Sequence, residues 1–308
     1  MIQKKIHKGP FIKNCPCSPG AVSCGYFNLN LHTGCPYDCT YCILQDYLED
    51  KNQAVLYTNF EDLEAEIAEF SRNRRHVRIG TGELTDSLAF EGKIAVAARI
   101  LDLAEKLPGV VFEFKTKSDR VGPILAARRP LKNVVVSWSL NPQPIIATEE
   151  RKTPGERQRL EALAAVQKKG FPVGIHFDPL LIFPGWKTHY LDFIREIKRI
   201  IDPSRVAWWS LGALRFPPSL KSHIFRHRQS LLFSGELVPG FDGKYRYFKP
   251  LRRELLDYVR RTISSRVSAE IPVYLCMEDD EMWGDILPSL PADERRLNRL
   301  LYDSVMGK

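Results

Sequence analysis

Three cysteines inside eight residues constrain this chain more than any other feature: Cys35, Cys39 and Cys42, spaced C-x3-C-x2-C within the stretch Thr33 to Cys42. They follow a strand-like run, Tyr26 to Leu31. Thiolates are soft donors, and three of them on one tight loop suit zinc or an iron–sulfur cluster. Structural zinc takes four ligands, usually as two separated pairs, and the chain has no second C-x2-C pair. A [4Fe–4S] cubane held by three cysteines leaves one iron open to an outside ligand, and that matches the count.

The spacing, with Tyr41 before the last cysteine, resembles the signature of the radical S-adenosylmethionine (SAM) superfamily. Most of the chain further resembles its spore photoproduct lyase-like (DNA repair photolyase-like) branch. The resemblance implies that the open iron chelates the amino and carboxylate groups of SAM. Reductive cleavage of SAM then gives a 5'-deoxyadenosyl radical that abstracts hydrogen from substrate.

The order of elements agrees. Strands are expected at His76–Gly80, Val110–Phe114, Val134–Leu140, Val173–Phe177 and Val206–Leu214. Helices are expected at Ile43–Leu48, from Asn59 as N-cap to Arg72, and over Lys93–Leu107, Val121–Arg128, Gly155–Lys169 and Lys187–Ile201. With the strand before the cysteines, this alternation gives six βα units and a parallel sheet. The expected fold is α/β, the partial (β/α)6 TIM-type barrel of radical SAM enzymes. An irregular N-terminal cap spans 1–25, the core 26–215 and a C-terminal extension 216–308, with a helix over Leu251–Ser264, a strand at Ile271–Cys276 and a last helix over Ala292–Val305.

Chemistry in such sheets sits at the carboxyl ends of the strands, where this chain places its odd polar residues. Gly82 and Glu83 follow the second strand and resemble the GGE element that receives the SAM amino group. Glycine lets backbone approach a ligand and a carboxylate accepts from an ammonium. Lys117, after the third strand, matches a partner for the SAM carboxylate; Ser139 and Asn141, ending the fourth, match groups for its ribose or methionine part. Tyr41 is expected beside cluster and SAM. Asp86, His176, Asp178 and Arg215 are the candidate substrate contacts.

In spore photoproduct lyases proper a cysteine near the end of strand two returns a hydrogen atom to the substrate, and tyrosines flank the last cluster cysteine as a relay. Here Gly80 to Ser87 contains no cysteine, Tyr41 is present, and Ile43 follows Cys42. Cys276, at a strand end, is the remaining candidate donor. Cys15, Cys17 and Cys24 read as small thiols packed in the cap, with a second metal site as the alternative reading.

The net charge of +8 permits a polyanionic partner, but the basic clusters at 72–75, 226–228, 252–253 and 260–261 read equally as solvated faces. A DNA or nucleobase substrate and a reducing donor such as flavodoxin or ferredoxin are the implied partners. A lyase acting on a DNA photoproduct is the leading function. A radical SAM enzyme on a metabolite or modified nucleobase and a non-catalytic metal- or nucleic-acid-binding protein are the alternatives. The polar, aromatic stretch 235–250 is expected to cover one end of the barrel. No apolar run approaches membrane-spanning length, the basic start Met1 to Lys8 has no apolar segment behind it, and seven cysteines suit a reducing cytoplasm.

Overall fold

A computed structural model of the chain describes residues 2–227, 230, 232, 236–267, 271–290 and 292–307; Arg228 of the second basic cluster and Gly235 of the polar stretch lie outside them. Its centre is one curled sheet of eight strands: β1 (Ile12–Asn14), β2 (Phe27–Leu29), β3 (Val77–Gly80), β4 (Val110–Thr116), β5 (Val134–Ser139), β6 (Val173–Leu180), β7 (Val206–Ala213) and β8 (Val273–Leu275). They lie side by side in chain order. β2 to β8 are parallel and β1 joins the edge antiparallel to β2. The six expected βα strands are present, in a half-barrel. Beyond them, one strand comes from the segment before residue 26 and one from the segment after 215.

All residues of β5 and β7 are buried, as both faces of a parallel sheet must be when helices cover one and side chains fill the other. The covering helices Phe60–Arg72, Val96–Lys106, Glu156–Lys169, Trp186–Ile200 and Lys249–Arg266 each turn an apolar stripe inward. The helix expected from Lys93 starts three residues later, because 91–95 is a turn that ends as the Glu91 side chain caps Ala97 N at 2.8 Å. The helix expected over Val121–Arg128 is a single turn, Gly122–Leu125. Asn59 stands at the N-cap position but makes no capping bond; it holds the backbone of His7 on both sides, tying the N-terminal segment to the barrel.

One element escaped the periodicity. Gln143–Glu149 is a helix running into a two-residue strand, Glu150–Arg151, which pairs antiparallel with Asp38–Cys39 of the cysteine loop. Two prolines, 142 and 144, punctuate this stretch as a loop would be punctuated, yet proline is at home in a helix's first turn. After β7, Arg215–Phe216, Leu237–Pro239 and Tyr245–Tyr247 form a small antiparallel sheet that stands over the carboxyl ends of the barrel strands, where Arg215, Phe216 and Lys244 join the cavity wall. No described helix is long and apolar enough to cross a membrane.

Candidate functional site

The cysteine loop leaves β2 through Gly34, which takes a φ of +93°. A Cβ there would lie 2.3 Å from the Gln53 carbonyl oxygen, so only glycine lets the loop pass. The loop is then pinned by its backbone. Gly34 N donates to Leu84 O at 2.9 Å, Cys35 N to Lys51 O at 2.5 Å, and Thr40 N to Glu149 O at 2.7 Å. Cys35, Cys39 and Cys42 line a single cavity of about 410 Å³, together with Gly82, Glu83, Lys117 and Ser139.

These residues fit a cluster with a bound zwitterion. Burial pushes the thiols up, Cys35 to about 12 and Cys39 and Cys42 also upward, so the sulfurs shed their protons only for a cationic centre. Among the described residues no three donors converge as one metal ion requires. A cubane spreads its irons over separate corners, so its thiolates need not share a point. Glu83 accepts from Asn28, and burial raises its carboxyl. Its Oε2 is buried without a partner, an acceptor suited to an ammonium group. At Gly82 a Cβ would press to 3.1 Å of Lys115 O and Ser87 Oγ, closing the cradle.

Other expected residues divide. Lys117 lines the cavity with its ammonium 5.7 Å from the Tyr41 ring centroid; burial pushes its proton off, but the nearby carboxylates, Glu150 foremost, outweigh this and hold its pKa up. Tyr41 also lines the cavity, while its hydroxyl donates to Glu150. Asn141 is not part of the wall. Its Nδ2 donates to Glu150 Oε1 at 2.9 Å and its Oδ1 accepts from Tyr190 at 3.1 Å, so the amide is engaged behind the cavity wall. Asp86 lies on the wall, but its Oδ1 takes Leu88 N, Ala89 N and Thr116 Oγ1 and its Oδ2 takes Lys117 N. It braces the two strand-end loops and has little capacity left for a substrate.

His176 and Cys276 face an inner chamber of about 190 Å³ that shares Glu83, Lys115, Asp178 and Arg215 with the first cavity. Asp178 bonds Arg215 at 3.1 Å and stands 3.9 Å from Lys115; despite burial, these cations hold its carboxyl far below the usual range. The cap's Cys15, Cys17 and Cys24 line the same chamber. The Cys15 thiol donates to the Cys17 sulfur and, against burial, holds Cys17 down to about 7 from an ordinary 9. Thiolate is the nucleophile, so iodoacetamide labelling of Cys17 should rise with pH through a midpoint near 7 and precede that of Cys24 and Cys276. Peptide mass spectrometry checks this; a midpoint near 9 would contradict it.

Several site residues were not singled out individually from the sequence, although Lys115 lies at a strand end and Lys244 in the stretch expected to cover the barrel. Lys115, Tyr37, Lys244 and Met277 line the first cavity. Behind Tyr41, Arg159 Nη2 makes a 2.5 Å ionic contact with Glu150 Oε2, both side chains 0% exposed. A basic residue inside an otherwise ordinary helix gives no hint of such a partner.

The sequence pattern of the spore photoproduct lyase family matches residues 19–221. The spore photoproduct lyase of Clostridium acetobutylicum is 20% identical over 262 residues, 80% of this chain and 75% of that protein. The Bacillus subtilis enzyme is 26% identical over 167 residues, 54% of this chain and 48% of its own. Among solved structures, a spore photoproduct lyase complexed with dinucleoside spore photoproduct has a TM-score of 0.77 at 22% identity, covering 89% of this chain and 82% of that one. A double mutant of such a lyase with bound AdoMet and dinucleoside spore photoproduct has a TM-score of 0.76 at 23% identity, with the same coverage. On the match to two thirds of its length, built around the cysteine loop and the six parallel strands, this chain belongs to the spore photoproduct lyase family of radical SAM enzymes.

Proposed function

We propose that this protein is a radical SAM lyase that reopens a carbon–carbon bond joining two thymines in a DNA photoproduct. One observation carries the reading: the three cysteines, the Gly82–Glu83 cradle with its unpartnered oxygen, and Lys117 share one cavity at the carboxyl ends of the strands, and that cavity adjoins a chamber lined with thiols. The cluster and SAM, when bound, supply the 5'-deoxyadenosyl radical that takes hydrogen from the substrate. Cys35, Cys39 and Cys42 would hold the cluster, Glu83 and Lys117 the amino and carboxylate groups of SAM, and Ser139 the side of the cavity facing β5. Arg215, Asp178 and Lys115 form a fixed charged rim between the two chambers.

After the bond opens, the substrate needs a hydrogen atom returned. Cys276 gives that atom from its S–H and is left as a thiyl radical, which one electron from the external reductant and a proton return to the thiol. Its sulfur lies 3.9 Å from Arg215 Nη2, and burial, with Asp178 beside it, raises its pKa so that the group stays S–H, the form that donates hydrogen. Tyr41, its hydroxyl committed to Glu150, positions the loop. A nucleic-acid strand is favoured over a small metabolite by the hairpin at the mouth: Phe241 at its tip is 113% exposed and Lys244 lines the cavity. Exposed aromatic rings next to cations suit stacking on bases.

The test is an anaerobic assay of reconstituted protein with SAM, dithionite and a dinucleotide carrying the spore photoproduct. Restored thymine and 5'-deoxyadenosine are both expected. Cys276→Ala should lower thymine restoration roughly tenfold or more while 5'-deoxyadenosine still forms. Full thymine yield from Cys276→Ala would move the donor role to another thiol. 5'-Deoxyadenosine with no thymine from the wild type would overturn the lyase reading.

A further inference from the structure

The inner chamber has a polar wall that the cluster and SAM do not use. Strand register sets it: His176 of β6 pairs with Ser210 of β7, and Ser210 with Tyr274 of β8, so these three lie in one row across neighbouring parallel strands. All three line the chamber, as do Tyr26 and Glu113. His176 is 3% exposed and Ser210 1%. The His176 Nδ1 and Ser210 Oγ atoms are each buried without a hydrogen-bond partner. Unpaired polar groups in a barrel interior cost stability, and two residues that carry them, paired in register and both lining the chamber, mark a place where something polar binds.

The protein fixes what that something must offer. Glu113 Oε1 lies 2.8 Å from His176 Nε2, and its Oε2 accepts from the Tyr26 hydroxyl at 2.5 Å. Burial pushes the Glu113 carboxyl up, but the hydrogen bonds it accepts from His176 and Tyr26 outweigh this and hold it below its ordinary value. Nε2 therefore carries the proton given to Glu113. Trp208 Nε1 approaches the same nitrogen at 3.5 Å, a longer and weaker contact than the 2.8 Å one to Glu113. Burial, with Lys115 nearby, keeps the ring neutral, so Nδ1 is a fixed lone pair that takes a donor and no acceptor. Ser210 can give a hydrogen to a carbonyl next to that donor. The complementary edge is an N–H adjoining a C=O, as in a cyclic imide. Tyr26 reaches Glu113 only because residue 80 is glycine; a Cβ there would sit 1.5 Å from the tyrosine hydroxyl. A chamber of about 190 Å³ holds about six waters or one planar heterocycle.

We infer that the inner chamber is a base-reading subsite in which His176 Nδ1 accepts from the imide N–H of a pyrimidine-2,4-dione while the Ser210 hydroxyl donates to its adjacent carbonyl. This rests on the lyase reading for the identity of the base, and it names the part of the substrate that chooses thymine. His176 and Ser210 are thus specificity-determining residues, and Glu113 and Tyr26 position the imidazole tautomer.

Reconstituted protein with SAM is titrated anaerobically with two pairs of ligands: the dinucleotide spore photoproduct and its N3-methylated form, and thymidine and N3-methylthymidine. Methylation should weaken wild-type binding by at least about tenfold, the size of one buried hydrogen bond left unmade. That ratio should shrink to below about threefold in His176→Phe. Ser210→Ala removes a hydroxyl with no protein partner, so the fold should tolerate it, and it should weaken both members of each pair severalfold; unchanged affinity in this variant would remove Ser210 from the site. A purely structural role for His176 would lower both affinities and leave the methyl ratio unchanged, and that result overturns the inference. Photoproduct bound without methyl discrimination also overturns it, leaving the lyase reading intact; the chamber is then a water site. Thymidine discriminated by methylation while the photoproduct is ignored supports the subsite and defeats the lyase reading. No binding of any of the four ligands overturns both.

Discussion

Replacing Cys35, Cys39 or Cys42 with alanine is expected to abolish iron incorporation and to lower 5'-deoxyadenosine formation by about 10³-fold or more, since among the described residues no other thiol lines this cavity. The three thiols are spread along one loop, and each sits where a separate backbone bond holds it: Cys35 on Lys51 O, Cys42 on Cys39 O, and Cys39 by pairing with Glu150. Losing one leaves two ligands for a centre that needs three. The change removes little from the core, because a thiol is small and Cys42 is only partly buried. Circular dichroism should therefore remain native while iron content and cluster absorbance fall together. Retained iron and activity in any of the three single variants would contradict the assignment of that ligand. Serine should fare no better than alanine, because its hydroxyl is a harder donor.

Arg159→Met is expected to destabilise the protein by about 3–5 kcal/mol, the usual cost of stranding one member of a buried ion pair. In a chain of this size the loss corresponds to a fall in melting temperature of roughly 5–8 °C. Both partners are 0% exposed, so water cannot rescue Glu150 when its guanidinium is gone. The pair also serves the cysteine loop. Glu150 takes the Tyr41 hydroxyl and the Asn141 amide, and its backbone pairs with Cys39. Arg159 reaches Ser139 O and Thr153 Oγ1, so the same two side chains join the cluster loop to the end of β5. The variant should accordingly bind iron less tightly than wild type, although neither residue touches the cavity. Thermal denaturation followed by circular dichroism and an iron-release assay with a chelator measure the two effects. The double variant Arg159→Met, Glu150→Leu should recover part of the stability, since no charge is then left buried, but not the iron affinity. A single variant that melts with the wild type would show that Lys117, which also attracts Glu150, is sufficient to balance it.

Legibility from the sequence followed the range of the interaction involved. The cysteine spacing, the six βα strands and the strand-end positions of Glu83 and Lys117 depend on neighbours a few residues apart, and the structure has them where the periodicity put them. The three N-terminal thiols were read as packing in a cap; their convergence on a chamber with Cys276, some 250 residues away in sequence, depends on how far the sheet curls. Asn141 illustrates the limit from the other side. Its position at a strand end was correct, yet the direction of its amide was decided by Glu150 and Tyr190, residues on other elements. The short strand at Glu150–Arg151 was missed for a similar reason, since a two-residue pairing has no period to detect.

The sequence alone determined the donor chemistry and the architecture: three soft ligands on one loop, and alternating strands and helices that must form a parallel sheet with its polar residues at one end. Only the tertiary structure decided which of those polar residues face an open cavity, which are consumed by each other, and that two chambers share one charged rim. Local spacing and periodicity fix where a side chain leaves the backbone. Whether it remains free for a ligand depends on the hydrogen bonds and charges brought to it by strands distant in the chain.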